Sequence, residues 1–111
     1  MFLTVCAKVW DVHSGTCIRT LDVHDNTVCS VVVAEGYIFT GSYAEIKVFD
    51  RHYNVVATLR GHNHWVRAIF AWNGLLFTGS YNMILVYEIA DAFKCKATIR
   101  VRAARHEFES W

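Results

Sequence analysis

Proline is absent from the 111 residues. A chain without it keeps every backbone N–H as a donor, which suits strands paired on both sides, where a missing donor would break a ladder. The six glycines occur singly, so no glycine-rich loop is present to cradle a phosphate. The cysteines, Cys6, Cys17, Cys29 and Cys95, include no CxxC pair, which removes the zinc-knuckle and dithiol-redox readings. Free thiols buried in a reducing compartment are the expectation, with cytosolic or nuclear residence as the default. An excess of one charge is also lacking. A formal net charge of +1 supplies no global field toward nucleic acid or an anionic membrane. The apolar opening from Met1 to Cys6 lacks a basic flank and is too short to read as a signal peptide or a membrane span. The one local bias, Lys94, Lys96, Arg100, Arg102 and Arg105, reads as a solvated face.

What the chain does have is apolar and aromatic content, 54% and 14%, against 19% charged residues. That balance excludes a disordered or fibrous chain, and the length suits one small domain. Internal repetition is the main signal. Residues 22–50 lie on residues 60–88 without a gap, with identities at His24/His62, Val28/Val66, Gly36/Gly74, Phe39/Phe77, Thr40/Thr78, Gly41/Gly79, Ser42/Ser80, Tyr43/Tyr81, Ile46/Ile84 and Val48/Val86. Lys8-Val9-Trp10-Asp11 matches Lys47-Val48-Phe49-Asp50, so a partial third copy precedes the other two.

Each unit reads as four short strands. In the middle copy they are predicted over Thr27 to Ala34, Tyr37 to Ser42, Ile46 to Asp50 and Asn54 to Leu59, bounded by turn residues. Val31-Val32-Val33 predicts a strand covered on both faces. Gly36 and Gly74 fall where a tight turn needs positive φ.

A four-stranded repeat of this length, with Gly61-His62 near its start and Trp10-Asp11 near its end, resembles the WD-repeat β-propeller family. Phe49-Asp50 and Tyr87-Glu88 are softened forms of the second element. The resemblance implies an all-β fold: two full four-stranded blades, part of a third, and no closed ring. It divides the chain into a partial blade over 1–22, blades over 23–60 and 61–101, and a tail over 102–111. It also assigns Trp10, Asp11, His24, Thr40, Asp50, Gly61, His62 and Thr78 to the structural signature. The family's hydrogen-bonded set further calls for a turn Asp and a Trp. Tyr43-Ala44-Glu45 and Tyr81-Asn82-Met83 lack the Asp, and Phe49 and Tyr87 replace the Trp, so neither unit is expected to complete the set.

With under three units, the array reads as a truncated or excised piece of a propeller, or as one that closes by self-assembly. Open inter-blade faces lined by Phe39, Phe77 and Tyr87 are then expected. Candidate binding residues follow the Gly-His element. Trp65, a residue type enriched at interaction hot spots, stands among Asn63, His64 and Arg67; the alternative is a ring packed between blades. Propellers of the F-box class resemble this stretch and hold phosphorylated peptides with an arginine at the place of Arg67, though Cys29 occupies it in the other unit. Tyr43 and Tyr81 end the second strands, either exposed to a partner or packed on a neighbouring unit. His62 and His64 share a strand face without a third ligand nearby, so no metal is expected. Cys29 reads as an inert thiol in an apolar strand. The tail, ending at Trp111, breaks the repeat.

Leu-Phe-Thr-Gly-Ser-Tyr, His-Asp-Asn-Thr-Val-Cys and Asn63-His64-Trp65-Val66-Arg67-Ala68 also resemble the propeller of the TNF-receptor-associated factor family, which includes RING-type ubiquitin ligases. This implies a protein-interaction scaffold that recruits signalling kinases or ubiquitination substrates, with any RING finger outside the chain. No catalytic set and no cofactor are expected, nor a nucleic-acid or membrane partner; the remaining blades are the other expected contact. A purely structural segment with no ligand of its own is the alternative.

Overall fold

The computed structural model describes residues 7–21 and 24–100. All ten of its regular elements are strands. β1 (Ala7–Trp10) and β2 (Cys17–Leu21) form an antiparallel pair. β3 (Ser30–Ala34), β4 (Tyr37–Gly41), β5 (Ile46–Phe49) and β6 (Val55–Leu59) form a four-stranded meander, and β7 (Ala68–Trp72), β8 (Leu75–Gly79), β9 (Met83–Glu88) and β10 (Lys94–Arg100) form a second. Among the described residues the sheets do not close a ring. Residues 101–111, including Arg102, Arg105 and Trp111, lie outside the described residues.

The turns are set by local chemistry. Ala34 pairs with Tyr37 across Glu35 and Gly36, whose φ angles are 56° and 83°. Asn73 and Gly74 repeat the arrangement at 53° and 77°, and left-handed φ at both central residues matches the twist of the flanking strands. The signature aspartates build the next turn type. Asp50 Oδ1 accepts from the amides of His52 at 2.8 Å and Asn54 at 3.0 Å, and Asp11 Oδ1 accepts from His13 N at 2.8 Å. The Asn54 amide, first among the causes, holds the Asp50 carboxyl below its ordinary range.

Register decides which face each residue takes. Val32, Phe39, Val48 and Ala57 stand opposite one another across β3 to β6 and share a face. The corresponding row on the second sheet's near face contains Ala71, Leu76 and Tyr87. These faces meet in one core of Phe39, Ile46, Val48, Leu59, Val66, Leu76, Met83, Leu85, Tyr87 and Ile89. Phe93, reaching over from the β9–β10 turn, meets Tyr37 edge-on at 5.1 Å between ring centroids. Burial of a Phe39-sized side chain contributes about 1.5–3 kcal/mol.

Four expectations are corrected. Phe39 and Tyr87 do not line an open face: they are 0% and 4% exposed, buried between the two units. Val31 and Val33, expected to be covered on both sides, are 53% and 69% exposed, because register turns them away from the β7–β10 sheet. Phe70 and Trp72, the repeat counterparts of the inward-facing Val32 and Ala34, are exposed on the far side of β7. Cys17 and Cys95 are exposed thiols, not buried ones, since each sits on an outer strand. β3 also begins at Ser30, not Thr27, because the Thr27 carbonyl accepts the Ser42 hydroxyl at 2.9 Å.

Candidate functional site

The two units are joined by the connector from Arg60 to Arg67, and its backbone is held to both. The Val66 amide donates to Ser42 O at 2.9 Å, and the Ala44 amide donates to His64 O at 2.8 Å. Tyr43 and Trp65 therefore form a single bridge. The Val66 carbonyl accepts from the Ser30 hydroxyl at 2.7 Å and the Cys29 thiol at 3.0 Å, while the Arg67 amide donates to Gly79 O at 3.1 Å. With Val66 fully buried, alternation turns Trp65 and Arg67 outward.

Below the connector lie the repeat histidines. His24 Nδ1 is 2.7 Å from Glu45 Oε2, and its Nε2 is 2.7 Å from Thr40 Oγ1. Glu45 thus takes the place of the turn Asp that the sequence lacks: its longer side chain spans the shorter hairpin, and Arg60 Nη1 reaches its other oxygen at 3.1 Å. In the second unit His62 Nε2 is 2.7 Å from Thr78 Oγ1 and Nδ1 is 2.8 Å from Ser80 Oγ. Thr78 donates its own hydrogen to Leu85 O at 3.2 Å, so Thr78 accepts from His62 Nε2–H and Nδ1 accepts from Ser80. His24 carries the opposite tautomer, Nδ1–H donating to the carboxylate and Nε2 accepting from Thr40. Glu45 and Ser80 were not singled out from the sequence. The hairpin length, one residue short of the usual form, was the available signal.

Above the histidines is an aromatic row in which Tyr43, His64 and Tyr81 are exposed and Trp65 is half-buried. Tyr43 packs edge-on against Trp65 at 5.3 Å and lies 5.7 Å from the His64 ring, which lies 5.6 Å from Tyr81. The Arg67 guanidinium sits 5.8 Å from the Trp65 ring centroid, a cation–π arrangement. No ion pair among the described residues involves Arg67. Tyr81 is 82% exposed and Tyr43 42%, so both sequence alternatives for Tyr43 hold in part: it packs on the next unit's connector and still meets solvent. Asn63 is exposed beside them. A hollow of about 260 Å³ is lined by His64, Trp65, Arg67, Ala68, Gly79, Ser80 and Tyr81. Burial pushes the Cys29 thiol up, with the Arg67 charge opposing it, so Cys29 stays a protonated donor to Val66.

Trp10, Asp11 and Asp50 stand apart from this row and serve turns and strands. On β10, Lys96 bonds Asp91 Oδ2 at 2.7 Å and pairs with Glu88 at 3.4 Å, while Lys94 and Arg100 lie on the exposed strand.

No family model matches the chain, and no curated protein matches it in sequence. Among solved structures, a chain of a crystal structure of a mitotic checkpoint complex superposes with a TM-score of 0.78 at 20% identity. The match covers 90% of this chain and 32% of that chain, so these residues span about a third of its length. At this identity the likeness shows the fold: an all-β, partial propeller of the WD-repeat type.

Proposed function

We propose that the chain is a protein–protein interaction scaffold that presents the connector row Tyr43, Asn63, His64, Trp65, Arg67 and Tyr81 to a partner. One observation carries this reading: a row of exposed and half-buried rings, with a guanidinium unpaired among the described residues, is fixed by backbone bonds that cross the seam between two units. Rigid aromatics beside an arginine lose little entropy on binding, and such residues dominate interface energetics. No turnover is attached to the surface.

The finer assignment is to the partner-recruiting propeller segment of a RING-type ubiquitin ligase or signalling adaptor. The quoted motifs support the seventh TNF-receptor-associated factor as the nearest parent, with signalling kinases or ubiquitination substrates as partners and a cytosolic or nuclear site of action. The test is photo-crosslinking from position 81, with Val12, 88% exposed, as the control position. Trp65→Ala and Arg67→Ala should each weaken the captured partner by about tenfold or more in calorimetry. Unchanged affinity in both variants sinks the proposal.

A second reading rests on Val31, Val33, Phe70 and Trp72, the exposed apolar residues of the outward sheet faces. On that reading the segment only completes a larger propeller, and co-expression with further repeats restores solubility without any loss on substitution of Trp65.

A further inference from the structure

A second hollow, sharing no residue with the connector row, lies between β6 and the outer strands of the second sheet. Its volume is about 370 Å³, and its lining comprises Thr58, Leu59, Arg60, Gly61, Met83, Leu85, Tyr87, Cys95, Thr98 and Arg100. We infer that this groove binds a carboxylate carried on a short apolar group, with Tyr87 at its base and Arg60 and Arg100 at its rim.

The base is apolar: Leu59, Met83, Leu85 and Tyr87 are all buried. Within it the Tyr87 hydroxyl is a buried polar atom with no hydrogen-bond partner among the described residues. The Gly61 amide lies near enough to favour the phenolate, yet burial dominates and, with the neighbouring Cys95 thiol, pushes the phenol up, so the group is an O–H donor. Packing does not require that hydroxyl, since the equivalent residue of the preceding unit is Phe49, 1% exposed. Gly61 keeps the space beside it clear: a Cβ there would collide with Leu85 and stand 2.9 Å from the Tyr87 oxygen. A buried donor left unmade is costly, and a ligand acceptor would satisfy it.

Charge selects the acceptor. Among the described residues, no acidic one lines the groove. Arg60 gives one nitrogen to Glu45 and is otherwise exposed, and no ion pair among the described residues involves Arg100. Forked guanidinium donors suit a carboxylate, and the volume lies within the roughly 300–1,000 Å³ of small-ligand sites. The carboxylate could belong to a free small acid or to an acidic side chain of a protein.

Cys95, an exposed thiol in the lining, allows a direct test on the full chain with Cys6, Cys17 and Cys29 changed to serine. Two disulfide probes of equal length, one ending in phenylacetate and the other in phenylacetamide, are equilibrated with Cys95 under a series of reductant concentrations. The carboxylate probe should survive about tenfold more reductant, the scale of one charged hydrogen bond. Arg100→Gln should abolish that preference. Tyr87→Phe should reduce it while raising the melting temperature of the unliganded chain, which separates a ligand donor from a structural one. Displacement of the probe by free 3-phenylpropanoate identifies a small acid as the ligand, and displacement only by acetyl-Leu-Glu-Leu-amide identifies a protein side chain. Equal retention of both probes, or a lowered melting temperature for Tyr87→Phe, overturns the inference whatever becomes of the connector row.

Discussion

His24 and His62 descend from the same position of the repeat, yet their rings carry the proton on different nitrogens. A carboxylate beside His24 Nδ1 demands a donor there, whereas Ser80 can supply its own hydrogen to His62 Nδ1. Long-range ¹⁵N–¹H correlation spectra should therefore show one Nδ1–H and one Nε2–H imidazole; two identical patterns would refute the assignment. Burial holds the His62 pKa below its ordinary 6.5, partly offset by the Thr78 backbone. The unfolded chain then binds the proton more readily than the folded one. Stability from this group is complete above the unfolded value and is lost as pH falls through the folded one. Melting temperature should drop from about pH 7.5 to about pH 5.5, and His62→Gln should flatten that slope. The histidine–threonine pairs were legible in the sequence as repeated letters. Glu45 was not, because a residue one place along a shortened hairpin reveals its role only when the distance to the ring is known.

At the scale of elements, Gly41 and Gly79 end equivalent strands, β4 and β8, but meet different surroundings. A Cβ at Gly41 would strike the Ser30 hydroxyl and lie 2.8 Å from the Val66 carbonyl, whereas at Gly79 the nearest atom is Ala68 Cβ at 3.5 Å. Gly41→Ala should cost about 1–3 kcal/mol through overpacking, and Gly79→Ala less than about 1 kcal/mol, measured by urea denaturation. Comparable losses for the two would show that the connector does not press on β4 as described. Strand positions, apart from the start of β3, and the Glu35-Gly36 and Asn73-Gly74 turns could be read directly, because alternation and φ preference are local properties. The face each strand buries could not. Val31 and Phe39 look alike as apolar residues in a strand, and only the cross-strand register turns one outward and the other into the core.

For the whole molecule, the outward faces bearing Val31 and Val33 on one side and Phe70 and Trp72 on the other are repeat-related to faces already joined inside. Head-to-tail association follows from such a pairing when the free surfaces are complementary. Light scattering behind size-exclusion chromatography should show mass rising with concentration, and Phe70→Lys with Trp72→Lys should return the chain to the monomer. A monomer at all concentrations without substitution would mean that these faces do not recognise each other. The groove above Tyr87 belongs to this scale too. Its walls come from β6 of one unit and β10 of the next, so no single repeat contains it and no motif could announce it.

The backbone bridge between Tyr43 and Trp65 has a consequence for how such a surface arises. The hairpin tyrosine recurs in both units, as Tyr43 and Tyr81, whereas Asn26 and Thr27 stand where the second unit has His64 and Trp65. Tandem duplication places one copy's hairpin against the next copy's connector in a single event. The aromatic row is thus a property of adjacency: the repeated tyrosine supplies one side of a seam, and divergence of the connector, as between Thr27 and Trp65 or Cys29 and Arg67, tunes each seam separately.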